Sequence, residues 1–489
     1  MDHLALLDKL NFISRLSKIC GANIITDKPL LKVYETDGLT AKKQLPWLVV
    51  LPVSIEEVQQ IVRLCHRFSV PVVARGAGTG LSGGAMPHAE GVLLVLAKLN
   101  RVLSVDVDNL SATLEPGVTN LAISDAVKSL GLYYAPDPSS QIACSIGGNV
   151  AENSGGVHCL KYGLTVHNVR KLKVVSPAGD LYEVGGEAFD SAGYDLLALL
   201  HGSEGMLGIV VEVTVKLLPM PESICVIMAG FPSVADAAAA VTDIIAAGIL
   251  PAGLEMMDRL AIQAAEAFVK AGYPTGAEAL LLCELDGIEA ELESQLHSLT
   301  RILQENGATS IATAHESEDR ERLWLGRKAA FPAVGRIAPD YYCMDGTIPR
   351  RHLSRVLDRI SSLSEEFSLR VANVFHAGDG NLHPLILYDA NKADELQRAE
   401  EFGARILELC IEVGGTITGE HGVGIEKIDQ MCIQFTAAEL SIFHGIKAAF
   451  DEKSILNPGK AVPTLHRCAE FGAMHVHAGK EKFPELDRF

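Results

Sequence analysis

The stretch PVVARGAGTGLSGG, Pro71 to Gly84, decides how the N-terminal half is read. Within it Gly78, Gly80 and Gly83 have the G-x-G-x-x-G spacing of a dinucleotide-binding turn. That spacing carries meaning only between a strand and a helix that opens from it. A strand fits Val70–Ala74, which is short, apolar and β-branched. A helix does not fit, because Gly84, Pro87 and Gly91 follow at once and a helix interior tolerates such a series badly. A Rossmann turn is therefore excluded. The loop still holds five glycines between Gly76 and Gly84, the hydroxyls of Thr79 and Ser82, and one cation, Arg75. Glycine lets backbone N–H groups close around an anion, so the loop reads either as a phosphate cradle or as a flexible surface loop.

The chain has 489 residues, 48% hydrophobic and 21% charged, which suits about two to four globular domains. With 42 basic against 61 acidic side chains the net charge is -19. No basic face is available for nucleic acid. The N-terminus mixes charged and apolar residues, unlike a signal peptide. AAAAVTDIIAAGILPAGL is interrupted by Asp243 and Pro251 and reads as a buried helix plus turn, not a membrane span. The ten cysteines are scattered without a C-x-x-C. They read as reduced thiols of a cytoplasmic protein and lack iron–sulfur spacing.

After an N-terminal helical segment (1–41), PWLVVLPVSIEEVQQIVRLCHRFSVPVVARG reads strand, helix, strand. Ser54 and Glu57 form a capping box before the stripe Ile55, Val58, Ile61, Val62, Cys65. Short strands, a helix ending at Gly131 and a hairpin around SPAGD complete one α+β block over 42–220. From about PMPES (219–223) strands such as CVIMAGF and ALLLCEL alternate with long helices. A second domain over 221–455, an antiparallel sheet covered by helices, is expected there.

A second glycine-rich region, Ala135 to Gly163, carries Gly147, Gly148, Gly155 and Gly156 with Asn149, Asn153 and Ser154, and almost nothing charged. Two donor-rich loops in one domain suit a ligand with a diphosphate and a flat ring better than ordinary turns. Here ARGAGTGLSGG, PDPSSQIACSIGGNVAENSGG with KYG, and HGSEGMLGIVVEVTVKLLP resemble the vanillyl-alcohol-oxidase type of FAD-binding domain. NVFHAGDGNLHP, GEHGVG and ILNPGK resemble the C-terminal domain of FAD-linked 2-hydroxy-acid dehydrogenases, and the likeness spans essentially the whole chain.

The resemblance implies an α+β fold of two domains: a two-lobed FAD-binding domain (42–220) and a ferredoxin-like α+β substrate domain (221–455), with a segment (456–489) returning to the first. It implies that Arg75, Gly76, Ala77, Gly78, Thr79, Gly80, Leu81, Ser82, Gly83 and Gly84 wrap the pyrophosphate. Pro136, Asp137, Ser140, Gly147, Gly148, Asn153, Gly155 and Gly156 would line the flavin, with Glu204, Gly208, Ile209, Val210 and Asn457 beside it. Relatives that tether flavin covalently carry a His in the first loop. Leu81 and Ser82 stand there, so non-covalent FAD is expected.

In VANVFHAGDGNLHPLILY two apolar runs meet at Asp379-Gly380, a type I′ hairpin signal. That turn would place His376 directly opposite His383 on one face. With Glu420 from GGTITGEHGVG they would suit a divalent ion, Zn foremost. A His pair alone is more often structural, and it is the H-x6-H and E-H-G patterns of the resemblance that favour a metal. His421 is the candidate base for the substrate hydroxyl proton, or else merely orients Glu420. In RERLWLGRKAAFPAVGR, Trp324, Arg327 and Phe331 share a helix face at i, i+3 and i+7. Spacing leaves Arg327 as a carboxylate clamp or a snorkelling side chain, and the resemblance favours the clamp, with Arg336 next in line. Met344 and Leu385 would be apolar walls that disfavour a second carboxylate.

The implied activity is oxidation of glycolate, and of D-lactate, to the 2-oxo acid by hydride transfer to FAD. With no cluster spacing, nicotinamide site or membrane segment, the chain is expected to work as one subunit of a complex. A second FAD-type subunit and an iron–sulfur subunit would accept the electrons, and membrane association at the inner face would come only through these partners. Three alternatives stay open: a stand-alone D-lactate or D-2-hydroxyglutarate dehydrogenase, a flavin-bearing subunit without substrate chemistry, and a metallo-hydrolase with the glycine loops as turns.

Overall fold

The structure, a computed structural model, describes residues 3–188 and 192–464. The chain divides into two compact units. The first comprises residues 1–154, 164–219 and 420 onward; the second comprises 155–163 and 220–419. The KYG-bearing segment 155–163 thus goes with the second unit, and the chain re-enters the first at Glu420.

The first unit holds a four-stranded sheet in the order Ile24–Ile25, Leu48–Val50, Val92–Val95, Val72–Arg75, its last three strands parallel. Parallel pairing needs a crossover, and the helix Ile55–Phe68 supplies it. Ser54 Oγ accepts the Glu57 N–H at 3.2 Å, and the Val53 N–H donates to Glu57 Oε2 at 2.9 Å. Val58, Ile61, Val62 and Cys65 are buried as the stripe foretold. A five-stranded antiparallel sheet follows, Val102–Asp106, Ser111–Leu114, Ile209–Lys216, Val169–Val175, Leu181–Gly185. The helix Ile146–Glu152 packs on its central strand.

The chain's return closes this unit. The Val72 N–H donates to Ile455 O at 2.7 Å and the Asn457 N–H to Val72 O at 2.8 Å, extending the edge of the parallel sheet. A buried lysine anchors the return. Lys447 Nζ donates to Met206 O (2.7 Å), Leu456 O (2.8 Å) and Asp451 Oδ2 (2.6 Å). Asp451 Oδ2 also accepts the Leu456 N–H at 2.8 Å.

The second unit is a seven-stranded antiparallel sheet, Ser310–Ala314, Ser223–Phe231, Ala279–Gly287, Gly253–Asp258, Val371–His376, Pro384–Tyr388, Asp340–Cys343. Helices Val234–Ala246 and Glu289–Glu305 pack on the strand Ala279–Gly287, and Glu395–Glu412 on Pro384–Tyr388. Against the other face lie Arg259–Val269, Ser317–Lys328 and Ala330–Val334, around Val226, Met257, Leu282, Val374 and Leu385.

Among the described residues no helix is long and apolar enough to cross a membrane. Eight cysteines are free and buried. Cys468 lies outside the described residues.

Asp451→Asn should leave the Lys447 ammonium buried without its counter-charge. The expected cost is about 3–5 kcal/mol of stability, as for other broken buried ion pairs. Urea denaturation of the two proteins measures it, and an unchanged midpoint would remove Lys447 as the anchor of the return.

Candidate active site

The first unit contains a cleft with about 620 Å³ of non-atom space, part of it open to solvent. Arg75, Gly76, Gly84, Gly147, Gly148, Glu204, Gly208, Ile209 and Val210 line it, all named from the sequence. The loop after Val72–Arg75 opens no helix. Gly78 and Gly83 adopt φ of +74° and +81°, which a side chain would strain. Gly76 must lack a side chain for another reason: a Cβ there would fall 2.1 Å from Ser145 Oγ.

Arg75 has a second contact besides the cleft. Its Nη1 donates to Thr36 O at 2.7 Å and its guanidinium lies over the Tyr34 ring, so it braces the loop as well as lining the cleft. Ala77, Gly78, Thr79, Gly80, Leu81, Ser82 and Gly83 shape the loop without lining the cleft, and Pro136, Asp137 and Ser140 also lie off its lining. Asn153 caps its helix and accepts the Val166 N–H with Oδ1 at 3.0 Å, spending the side chain internally. Gly155 and Gly156 belong to the second unit. Asn457 donates to Gly84 O (2.9 Å) and Glu204 O (2.6 Å), tying the loop to the returning chain.

Several residues of this cleft were not singled out in the sequence. Pro116, Ser145 and Ser203 line it, as does Glu152, a carboxylate inside the glycine-rich run. Glu204 Oε1 and Oε2 accept the N–H groups of Val423 and Gly424 at 2.7 and 2.8 Å. Glu152 sits against Gly84 and Gly422, where a Cβ would fall 2.6 and 2.1 Å from its carboxylate oxygens. Burial, then the neighbouring Glu204, raises the Glu152 carboxyl well above the usual range. Lys460, donating to Gly84 O at 2.8 Å and to Met86 O, is pushed down to about 8 by burial against the pull of Asp37 and Glu204. Ser82 Oγ, Glu152 Oε2 and Asn457 Oδ1 are buried without a hydrogen-bond partner among the described residues. Such atoms, beside glycines that a Cβ would block, fit a polar ligand of the FAD kind.

In the second unit the hairpin register differs from the expectation. Asn373 pairs with Pro384 and His376 with Asn381, so His383 extends the ladder opposite Val374. The turn is a four-residue loop, 377–380, with only Gly380 at positive φ (+82°), whereas type I′ needs two such residues. The shift is two residues, so both imidazoles keep the same face. Their ring centroids are 5.1 Å apart, edge to face.

On this face the apolar cluster ends in a polar row. Two residues beyond Leu282, Met257, Val374 and Leu385 along their strands lie Glu284, Glu255, His376 and His383. Glu255 stands directly across from His376 and accepts its Nδ1–H at 2.6 Å. The other Glu255 oxygen takes Arg327 Nε at 2.8 Å and Nη2 at 2.7 Å. Burial pushes the Glu255 carboxyl up, but His376 and Arg327 outweigh it and hold it below its usual range. Trp324 Nε1 donates to Glu284 Oε2 at 2.6 Å, and His158 Nε2 meets the other oxygen at 2.9 Å. Asp345, fully buried, stands 4.0 Å from His383 Nδ1 and accepts Thr418 Oγ1–H (2.5 Å) and the Gly419 N–H (3.1 Å). Glu420 is the next residue in the chain.

The sequence reading therefore needs correction on Arg336 and Phe331. Arg336 is exposed and donates to Ala267 O at 3.0 Å, far in chemistry from the buried row, so it does not back up Arg327. Phe331 lies on the following helix and packs edge-on against Tyr341. His421 lies in the first unit beside Gly422, whose φ is +82°. Glu255, Glu284 and Asp345 were missed; buried acids flanked by apolar residues in LEMMD, LCEL and CMDG were the available signal.

A cleft suited to FAD in the first unit and an acid–base row in the second fit the class of FAD-linked oxidoreductases. The chain matches an FAD binding domain family over residues 46–185 and the C-terminal domain family of FAD linked oxidases over 220–461. It is 61% identical to the glycolate oxidase subunit GlcD of Escherichia coli K12, covering 95% of this chain and 93% of that one. The Bacillus subtilis glycolate oxidase subunit GlcD is 41% identical (88% and 91% covered) and a D-lactate dehydrogenase of Anaerostipes hadrus 34% (86% and 90%). The crystal structure of p-cresol methylhydroxylase with substrate bound shares the fold at a TM-score of 0.80 and 18% identity, covering 94% of this chain and 98% of that chain. The chain belongs to the FAD-linked oxidases. The comparisons give the metallo-hydrolase alternative no support.

Because Glu152 holds its proton more tightly when folded, its contribution to stability is full below the unfolded carboxyl range near pH 4.5 and is lost as pH rises through its raised folded value. Glu152→Gln should therefore be more stable than the wild type at pH 8, with the difference shrinking toward pH 5. Denaturant midpoints across that range read it; parallel curves would mean that Glu152 is ionised.

Proposed function

We propose that this chain oxidises a small 2-hydroxy monoacid, glycolate first and D-lactate next, to the 2-oxo acid, with dissociable FAD as hydride acceptor. The observation that carries the reading is Arg327. Its guanidinium is buried and held along one edge by Glu255, while Nη1 makes no hydrogen bond to a described residue. A planar fork so placed suits bidentate capture of a carboxylate. Identity of 61% to a glycolate oxidase subunit supports glycolate. Met344 and Leu385 are apolar and buried, Leu385 within the core cluster, so the preference for a monoacid over hydroxyglutarate rests on the glycolate oxidase relatives.

FAD, when bound, supplies the two-electron chemistry. His376, His383 and Glu420 would hold a divalent ion, Zn foremost, whose charge eases loss of the hydroxyl proton. What supports His376 in this set is that its Nδ1–H is given to a carboxylate, as metal-bound imidazoles usually require. His421 takes the hydroxyl proton. Reduced flavin must then be reoxidised, and the ten cysteines have no cluster spacing. A second FAD-type subunit and an iron–sulfur subunit are the proposed acceptors, with cytoplasmic residence and membrane association only through them. The 34% identity to a D-lactate dehydrogenase supports, as second reading, a self-sufficient enzyme for D-lactate.

Anaerobic titration of the purified yellow protein with glycolate, D-lactate and D-2-hydroxyglutarate tests the reading. Bleaching should be most effective with glycolate and weakest with hydroxyglutarate, and no bleaching by any of them would sink it. Rapid quinone reduction by this chain alone would favour the second reading. Arg327→Lys keeps the charge but loses the fork, so kcat/KM should fall roughly 100-fold. Wild-type kinetics in that variant would place the anchor elsewhere.

A further inference from the structure

We propose that Glu255 is a positioning residue that serves the carboxylate anchor and the metal-ligand imidazole at once, orienting Arg327 with one oxygen and His376 with the other. The inference rests on the function proposed above and adds a residue to it. Glu255 lies on the strand Gly253–Asp258, directly across from His376 in the register. Its Oε1 takes His376 Nδ1 at 2.6 Å, and its Oε2 takes Arg327 Nε at 2.8 Å and Nη2 at 2.7 Å. The side chains of Glu255, Arg327 and His376 are 1%, 2% and 6% exposed, so water does not compete for these bonds.

The division of the two oxygens matters. Arg327 gives its Nε–H to Glu255 and keeps Nη2 within ion-pair distance of the same oxygen, which leaves the Nη1 end of the fork for a ligand carboxylate. His376 gives Nδ1–H to the other oxygen, which makes Nε2 the unprotonated nitrogen, the one that would hold a metal. A carboxylate can do both because it is an acceptor at each oxygen. An amide cannot. Glutamine in its place offers one acceptor and one donor, so it satisfies either the guanidinium or the imidazole N–H and opposes the other.

Glu255→Gln and Glu255→Asp, both in the full chain loaded with FAD, provide the test. Zinc retention is read by competition with a chelator followed by metal analysis. Carboxylate binding is read by perturbation of the flavin spectrum with oxalate, which has no C–H to oxidise. Glu255→Gln should weaken zinc retention or oxalate binding at least tenfold, with FAD content unchanged. Glu255→Asp, shorter by one CH2, should lose at least tenfold in the same readouts, while a counter-ion of purely structural importance would lower the unfolding midpoint and leave both constants alone. Constants within twofold of wild type in both variants would overturn the proposal. Failure of both variants to retain FAD would do so too, because Glu255 would then serve the fold. A wild type that glycolate does not bleach would instead sink the functional reading, which separates the two failures.

Discussion

A carboxylate taken out of water must find donors or a proton, and Glu204 finds donors in the chain's own return. The N–H groups of Val423 and Gly424 close on its two oxygens at 2.7 and 2.8 Å. Its backbone carbonyl takes the Asn457 amide at 2.6 Å, and that same amide reaches Gly84 O at 2.9 Å. Glu204 and Asn457 together thus tie the glycine loop to the C-terminal segment of the first unit beside a single cleft.

In the second unit the organising constraint is the period of two in a β-strand. The sheet face that buries Leu282, Met257, Val374 and Leu385 under three helices continues, two residues on, as Glu284, Glu255, His376 and His383. An apolar core and an acid–base row therefore share one surface, and the apolar part supplies the burial that keeps the polar part dry. Burial alone would push Glu255 toward neutrality; two cationic or N–H neighbours reverse it. The hairpin turn differs from its expected form by two residues of register. A slip of one would have sent His383 to the opposite face, whereas a slip of two exchanges direct for diagonal pairing and keeps the imidazoles together.

Much of this was legible in the sequence because local physics wrote it there. The absence of a helix after Gly84, the capped stripe from Ser54 to Cys65 and the switch of rhythm near residue 220 each follow from patterns within a few residues. What stayed hidden depends on partners distant in sequence. Glu255 meets Arg327 across 72 positions and His376 across 121. In LEMMD an acid between apolar residues resembles ordinary strand alternation until the sheet is known to be covered on both faces. Arg336 shows the converse error: an arginine near the right helix, yet on its solvent side, bonded to Ala267 O.

The two glutamates of the cleft show how environment separates identical side chains. Glu204 is buried and Glu152 half-buried at the cleft, and loss of solvent raises both carboxyls. Glu204 recovers much of the lost solvation from two backbone N–H groups, which stabilise its charged form. Glu152 has an oxygen without any partner among the described residues, and it faces Glu204 as a like charge. The proton shared by such a pair settles on the member with fewer donors. Burial and the neighbouring Glu204 thus favour the protonated form of Glu152, while the two backbone N–H groups favour the charged form of Glu204. A second negative charge would weaken the cleft's hold on a diphosphate, so an acid kept neutral by its neighbours is the form that suits this lining.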